Sequence, residues 1–552
     1  MPSAPQSPGA GDPVNLHPSV RYSGLFLAIV FAIMSVPRAL GNGPDVIKAS
    51  HKDVSSPLAQ MAMSASTKGG GSDGQSLPAR STGAVTNDAK SDPVAAPFAG
   101  PLTGVTLLSN FDGQSAQDNR NVFGFAFVPP DTNGAVGDTQ FVQMVNVTIA
   151  VYDKSSGALR LGPAAIHTLW SGFGGLCEFG GGTPTFSDGG DPVVLYDHLA
   201  GRWLVTQLQY NTTFTQTAQC VAVSTTSDAT GSYYRYEFDF GANFPDYPKF
   251  SVWPDAYYNT INIFPGNKFA GAQACAFDRK AMLAGAPATA MCFQQPSTIS
   301  SLLPADLDGG TLPPAGSPNY LVGLADSTHL NFFRFHADFS NPENSSMSGP
   351  TLIPVAPYNE ICARATTLSC IPEPNPGEKV DGLSDRVMFR LAYRNFGDHE
   401  SLVVNHTIEG GALAGVRWYE IRNPAAPFIY QQSTLVDPNV NYWLGSVAMD
   451  KIGNLALGFS ASSHDVFPSV YVAARAVSDP AGALSGPLVL VNGSGVQINS
   501  FRRWGDYSSM SVDPVDDCTF WYTQEYYANT GSFNWATRIG AFKFDSCKGR
   551  NK

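Results

Sequence analysis

Charge is what this 552-residue chain has least of. Asp, Glu, Lys and Arg make up 14% of it, against about a quarter in ordinary soluble domains. That scarcity argues against coiled coils and solvated helical arrays, which depend on charged faces. Basic residues are scarcer still: 33 Lys and Arg against 45 Asp and Glu give a net charge of −12. The basic stripe that nucleic acid requires is missing, and anionic membrane surfaces would repel the chain. Helical periodicity is sustained nowhere, the best short candidate being one or two turns at Asp278–Leu283. After residue 100 there is no G-x-S-x-G elbow, no Walker loop and no H-E-x-x-H. The run Gly172-Phe-Gly174-Gly-Leu-Cys177 fails as a dinucleotide fingerprint, because a cysteine stands at its last glycine position. C-x-x-C pairs and zinc-finger histidine spacings are also absent, so no metal site is expected. Asp306-Leu-Asp308-Gly-Gly310 opens like a calcium loop but lacks the later ligands and the terminal Glu. A tight turn is expected there, with calcium binding the alternative, and no other cofactor.

What the chain has in abundance is Gly (54), Pro (41) and aromatics, the composition of short strands joined by many turns. Of 63 aromatic residues, 59 lie after position 100, so one body occupies 104–547, with a short tail at 548–552. Ahead of it, Arg21 precedes the apolar run Gly24–Val36 and the small-x-small site Ala39-Leu40-Gly41. That run is shorter than the ~20 residues of a membrane span. Residues 1–41 therefore read as a signal peptide, or as a signal anchor if it is not cleaved. Residues 42–103, rich in Ser, Ala, Gly, Pro and Asp, read as a disordered tether. A secreted, extracellular or periplasmic monomer is expected, with no membrane contact beyond the signal segment. Eight cysteines agree with export. Nearest-neighbour pairing would join Cys177–Cys220, Cys275–Cys292, Cys362–Cys370 and Cys518–Cys547, although eight cysteines allow 105 connectivities.

A short pattern recurs through the body: a strand flanked by Gly or Pro, a turn opened by Asp, then a strand with aromatics. It appears at Asp131-Thr-Asn-Gly-Ala-Val-Gly-Asp138, Asp191-Pro-Val-Val-Leu-Tyr-Asp197 and Lys249-Phe-Ser-Val-Trp-Pro-Asp255. It returns at Ser446-Val-Ala-Met-Asp450 and Tyr507-Ser-Ser-Met-Ser-Val-Asp513. Copies lie about 60 residues apart, save one double gap that a degenerate unit at 303–339 would fill. A period of this size in an all-β chain predicts a β-propeller. Seven units starting near 129, 190, 248, 305, 385, 445 and 505 are favoured, six with a long insertion being the alternative. Closure is expected from pairing of Thr106–Ser109 with Arg538–Phe544, since an open edge invites aggregation.

The two ends of the repeated strand differ in chemistry. Asp138, Asp197, Asp255, Asp450 and Asp513 read as turn devices that accept backbone N–H groups. At the other end the first residues of each unit converge on one mouth of the central channel: Asp131, Asp191, Lys249, Arg386 and Asp506, with Asp385 and Arg503 beside them. In a chain so poor in charge these are candidates for binding a polar ligand, a glycan or a protein; mutual neutralisation is the competing role. Arg394-Asn-Phe-Gly-Asp398-His399-Glu400 with His406 has acid/base residue types, but belongs to a turn and reads as a fold-locking network.

At VPPDTNGAVGD (128–138), GDPVVLYDHLAGRW (190–203), YPKFSVWPDAYY (247–258), YRNFGDHESLVVNH (393–406) and RWGDYSSMSVDPVDDCTFWYTQEY (503–526) the chain resembles an uncharacterised family of exported bacterial β-propeller proteins. That resemblance implies the fold and a secreted life, and it brings no catalytic residues. A looser likeness is to sialidase-type propellers with their Ser-x-Asp-x-Gly-x-Thr-Trp box, echoed at Ser511-Val-Asp513…Thr519-Phe-Trp521. It suggests a carbohydrate-active hydrolase or lyase as the alternative to a binding module. Arg386, Arg390, Arg417 and Arg503 would then have to supply an arginine trio, and two of Asp131, Asp191 and Asp506 a carboxylate pair.

Overall fold

Inner strands of a propeller must satisfy backbone groups on both sides and bury both faces, so they should be short, apolar and stitched to their neighbours. This computed structural model describes residues 43–64, 75–76, 92–179, 188–363, 369–374, 378–498 and 500–548; its inner strands run from four to ten residues, are largely buried and are stitched to their neighbours. The first unit is an antiparallel meander of Asn133–Val136, Gln140–Val145, Thr148–Asp153 and Leu159–Ala165. Equivalent meanders start at Val193–Asp197, Asn243–Val252, Leu303–Asp308, Met388–Asn395 and Asn441–Met449. The last comprises Ser509–Val512, Phe520–Tyr527 and Trp535–Phe544. Its fourth strand comes from far away in sequence: Val105–Ser115 pairs antiparallel with Trp535–Phe544, setting Thr106 opposite Lys543 and Ser109 opposite Ala541. Grouped by these first strands, the described residues form seven units with four strands each at their centre; further outer strands extend the second, third and fifth, and the fourth and fifth share one nine-stranded sheet through parallel pairing of Leu303–Asp308 with Met388–Asn395. The first strands of the seven units neighbour one another in order, and the seventh returns to the first. This is a closed β-propeller.

Apolar side chains fill the spaces between consecutive sheets, as in the layer of Val142, Ile149, Val194, Trp203 and Tyr233 between the first two units. Polar side chains on the inner strands hold adjacent units together. Asn133 accepts from Val194 N–H at 2.8 Å, Asp306 from Val252 N–H at 2.8 Å, and Ser446 Oγ from Met510 N–H at 3.0 Å. Buried backbone donors are thereby paired where sheet hydrogen bonds stop.

Four disulfides join the nearest-neighbour pairs: Cys177–Cys220, Cys275–Cys292, Cys362–Cys370 and Cys518–Cys547, with Cα separations of 5.8, 4.1, 5.4 and 5.6 Å. Cys518–Cys547 ties the first turn of the last unit to the chain just beyond its closing partner strand. Among the described residues no helix is long and apolar enough to cross a membrane.

Three expectations need correction. Part of the tether is ordered: Asp45–Lys48 adds an outer strand beside Thr289–Gln294, His51–Val54 adds one beside Tyr233–Gly241, and Leu58 is fully buried. Composition averaged over 42–103 hides these four-residue strands, whose stability comes from the sheet edges they cover. The signal segment 1–41 lies outside the described residues. Secondly, a helix at Ala116–Phe123 follows the closing strand, its capping box built by Ser115 and Asp118 and its end set by Gly124 at φ 84°. One buried face of two turns is too little periodicity to read from sequence. The short Asp278 candidate does form, with Asp278 capping Arg279–Leu283. Thirdly, Lys249 is not the repeat equivalent of Asp131 and Asp191; Tyr247 is, as its backbone shows below.

Candidate functional site

Two residues before pairing begins (first, second and fourth units) or resumes after a register shift (third and sixth), five units carry a non-glycine residue in the left-handed region. These are Asp131 (φ 48°), Asp191 (47°), Tyr247 (56°), Ser301 (46°) and Leu444 (54°). Such a conformation costs of order 1 kcal/mol per residue and persists where surroundings over-determine it. Here it turns each chain sharply into the channel and aims the flanking polar groups at the neighbouring unit. Asp131 Oδ1 accepts from Asp506 N–H at 3.0 Å, and Asp191 Oδ2 from Tyr247 N–H at 3.1 Å. Asp191 N–H donates to Asn146 Oδ1 at 3.1 Å, and Tyr507 Oη to Pro192 O at 3.0 Å. These bonds clasp the first, second, third and last units at the start of their inner strands.

The structure brings the expected residues of this start mouth together and buries all but Asp506, which is partly exposed. Lys249 is wholly buried, its ammonium 3.5 Å from the Tyr247 ring centre and 3.9 Å from that of Tyr507. Arg386 forms a two-pronged pair with Asp385 at 2.7 and 3.0 Å and lies over the other side of the cluster, 4.6 Å from the Tyr247 ring. Arg503 pairs with Asp506 and lies 3.8 Å from Asp381. Three cations thus meet five carboxyls: Asp131, Asp191, Asp381, Asp385 and Asp506. Burial raises the proton affinity of the excess acids. Burial, reinforced by the charges of Asp506 and Asp191, pushes Asp131 well above the ordinary carboxyl range. Burial lifts Asp381 to about 7 against the pull of Arg503, and lowers Lys249 to about 8 despite Asp191.

An insertion covers this mouth. Between the fourth and fifth units the chain forms a small hairpin, Ser369–Pro372 with Lys379–Asp381, closed by Cys362–Cys370. Ile371, Val380 and Leu383 from it share an apolar layer with Ala116 of the helix and with Trp443, Trp504 and Trp535. Beneath that layer Glu373 and Glu525 are fully buried, and burial raises both, Glu373 to about 8. Sequence reasoning missed Asp381, Glu373, Glu525 and the two tyrosines. The acids lie in an insertion with no repeat equivalent or deep in a second strand, so the repeat carried no signal for them. Tyr247 was legible in hindsight, since it stands two residues before Lys249, as Asp131 does before Asn133.

The opposite face, formed by the turns that follow first and third strands, is more open. Asp197 accepts from Leu199 and Ala200 N–H at 3.1 Å and takes Arg279 and the Tyr257 hydroxyl as well. Asp450 accepts from Ile452 and Asn454 N–H at 3.0 Å, Asp513 from Val515 N–H at 2.9 Å and from Lys154, and Asp255 from the Tyr258 hydroxyl at 3.1 Å. Asp138 differs: its side chain is exposed and its carbonyl receives Lys154. Inside the channel Arg390 bridges Asp306 and Asp308, so both calcium-loop carboxylates already have a cation. Beyond Asp308 the channel widens into a cavity of about 280 Å³ lined by Asp138, His198, Asp516 and Asp517.

The remaining candidates do not converge. Arg417 lies in a third strand with Asp92, while Arg386, Arg390 and Arg503 each hold a different acid, so no arginine trio faces one point. Asp398 is exposed and pairs in its turn with half-buried His399, whereas buried His406 meets Tyr419 Oη at 2.9 Å, and burial holds its ring basicity well below the ordinary value.

No family model and no curated protein matches this chain. Solved structures similar to it include the phage phi92 endosialidase (10% identity, TM-score 0.32, covering 81% of this chain and 69% of that one). A GH93 α-L-arabinofuranosidase of Fusarium graminearum matches at 10% identity and TM-score 0.31, over 70% of this chain and 98% of that one. The WD40 domain of SCAP from fission yeast matches at 8% identity and TM-score 0.31, over 74% and 80%. Likenesses this distant carry no functional argument; the fold rests on the strand pairing itself.

Proposed function

We propose that this chain is a secreted or cell-surface β-propeller that binds a polar ligand or partner on its turn face, and that the charged start mouth is a lock. One observation carries the reading: at the start mouth the cations and acids are spent on one another beneath the insertion, whereas cavities open on the turn face. Charged groups that deep are costly to separate, and their retention fits a role in fixing how the units meet. A carbohydrate-active hydrolase using Asp131, Asp191 or Asp506 would need substrate and water to reach those acids, which the cover opposes. Four disulfides fit an oxidising compartment outside the cytosol.

Hydrogen-exchange footprinting with a panel of neutral and acidic oligosaccharides tests the reading. Protection should appear in turns such as 396–399, 450–453, 476–483 and 513–519, with Asp191→Asn binding as the wild type does. Protection at 131–133 or 191–193, or glycan hydrolysis that a folded Asp191→Asn or Asp506→Asn variant loses, would overturn it.

A further inference from the structure

On the turn face, between the fifth and sixth units, lies a cleft of about 140 Å³ lined by Arg422, Tyr430, Glu420, Arg475 and His399. It shares Arg422, Tyr430 and His399 with an adjoining shallower depression of about 520 Å³. Arg422 is the last residue of Ala414–Arg422, and Arg475 the last of Ser469–Arg475, so matching strand ends of neighbouring units place two guanidinium groups on one cleft.

Their partners differ. Glu420 is saturated, accepting from Ser401 Oγ, Arg422 Nε and Gln431 Nε2 at 2.7, 2.6 and 2.5 Å. Arg422 lies 3.4 Å over the Tyr430 ring, its terminal nitrogens without a protein partner among the described residues. Arg475 is only 5% exposed, yet forms no ion pair among the described residues. Among the described residues its one side-chain hydrogen bond runs from Nη2 to the Asp479 carbonyl at 2.8 Å, and Nε has no partner. Burial depresses its basicity, Glu420 and Asp479 acting from farther off. An arginine lining a cavity at that depth with no carboxylate at ion-pair distance is costly to fold around unless something else supplies the anion. Beside it Tyr430 and Phe428 are about half exposed, at 49% and 47%, and His399 is stacked on Phe396 at 4.8 Å. Cation and aromatic surface stand side by side.

We propose that this cleft binds a carboxylate-bearing ligand, Arg475 and Arg422 taking the carboxylate and the Tyr430–Phe428 lip covering the ligand's less polar side. The inference rests on the turn-face reading and adds a ligand class to it. Acidic sugars and small organic acids share the required group. Planar guanidinium groups recognise carboxylates by paired, charge-assisted hydrogen bonds, and the aromatic lip adds stacking surface.

Calorimetric titration with galacturonate, galactose and benzoate tests it. At least one of the two carboxylates should bind while galactose does not, and their ranking tells an acidic sugar from an aromatic acid. Arg475→Met should weaken that binding about 10- to 100-fold, the worth of a charge-assisted hydrogen bond. It should melt no lower than the wild type, because it removes an unpaired buried charge. Tyr430→Ala, at an exposed site, should weaken binding without a change in melting. Equal binding of galactose, absence of carboxylate binding, or an Arg475→Met variant that melts lower and binds unchanged would overturn the proposal. Binding elsewhere on the turn face, insensitive to Arg475→Met, would refute this site and leave the turn-face reading intact; a footprint at the start mouth would remove both.

Discussion

Glu373→Gln should make this protein more resistant to denaturant as pH rises, while changing little at pH 5. Glu373 is fully buried within the insertion; Oε1 accepts from Gln497 N–H at 3.0 Å, and Oε2 has no partner among the described residues. Burial lifts its carboxyl from 4.5 to about 8, the Gln497 N–H opposing and Glu378 adding to the rise. A raised acid binds its proton more tightly folded than unfolded, so its stabilising contribution is complete below pH 4.5 and is lost as pH climbs to 8. About three and a half pH units at ~1.4 kcal/mol each make the loss on the order of 5 kcal/mol, an upper figure for a group that can relax. Glutamine keeps the acceptor for Gln497 and never ionises. The variant's advantage over the wild type should therefore grow through pH 5, 6, 7 and 8, read from urea midpoints with the disulfides intact. Other buried acids slope the same way in both proteins, so the difference isolates residue 373. A difference that stays flat, or a variant weaker at pH 8, would refute the burial argument.

Three further outcomes follow from the same contacts. Truncation after Thr537 removes most of the strand paired with Val105–Ser115 together with Cys547; calorimetry should lose the single cooperative transition, and a retained one would contradict closure. Lys249→Met removes one of the buried cations acting on Asp191 and Asp131, with Arg503 remaining, and should cost up to about 3–5 kcal/mol. Adding Asp191→Asn should recover part of it, strict additivity in the double variant being the contrary result. Asp197→Ala removes a turn acceptor and both Arg279 bonds and should cost about 3 kcal/mol or more by urea denaturation; a loss under 1 kcal/mol would show the turn holds without it.

The propeller was legible because its signal is repeated: Asp197, Asp450 and Asp513 mark the same turn in three units. The disulfides followed because each cysteine pair lies within one unit or its insertion, so proximity in sequence and space coincide. Convergence of Asp131, Asp191, Lys249, Arg386 and Asp506 was legible for the same reason. Their burial was not. Whether a mouth is open depends on Ile371, Val380 and Leu383, residues of a unique insertion whose landing place no periodicity encodes. The Arg422–Arg475 cleft was equally hidden, since it joins strand ends that are neighbours only once the sheets are stacked. Short edge strands such as Asp45–Lys48 have too little alternation to stand out; the sheet edge selects them.

Carboxyl footprinting of the native protein, carbodiimide labelling read by mass spectrometry, tests the central claim that the start mouth is a sealed lock and the turn face is the open surface. Asp398, with its side chain 82% exposed, and exposed Asp138 should label readily, while Asp131, Asp191, Asp381 and Asp385 stay unmodified until the protein unfolds. Labelling of those four at the rate of Asp398 in the folded protein would contradict the account.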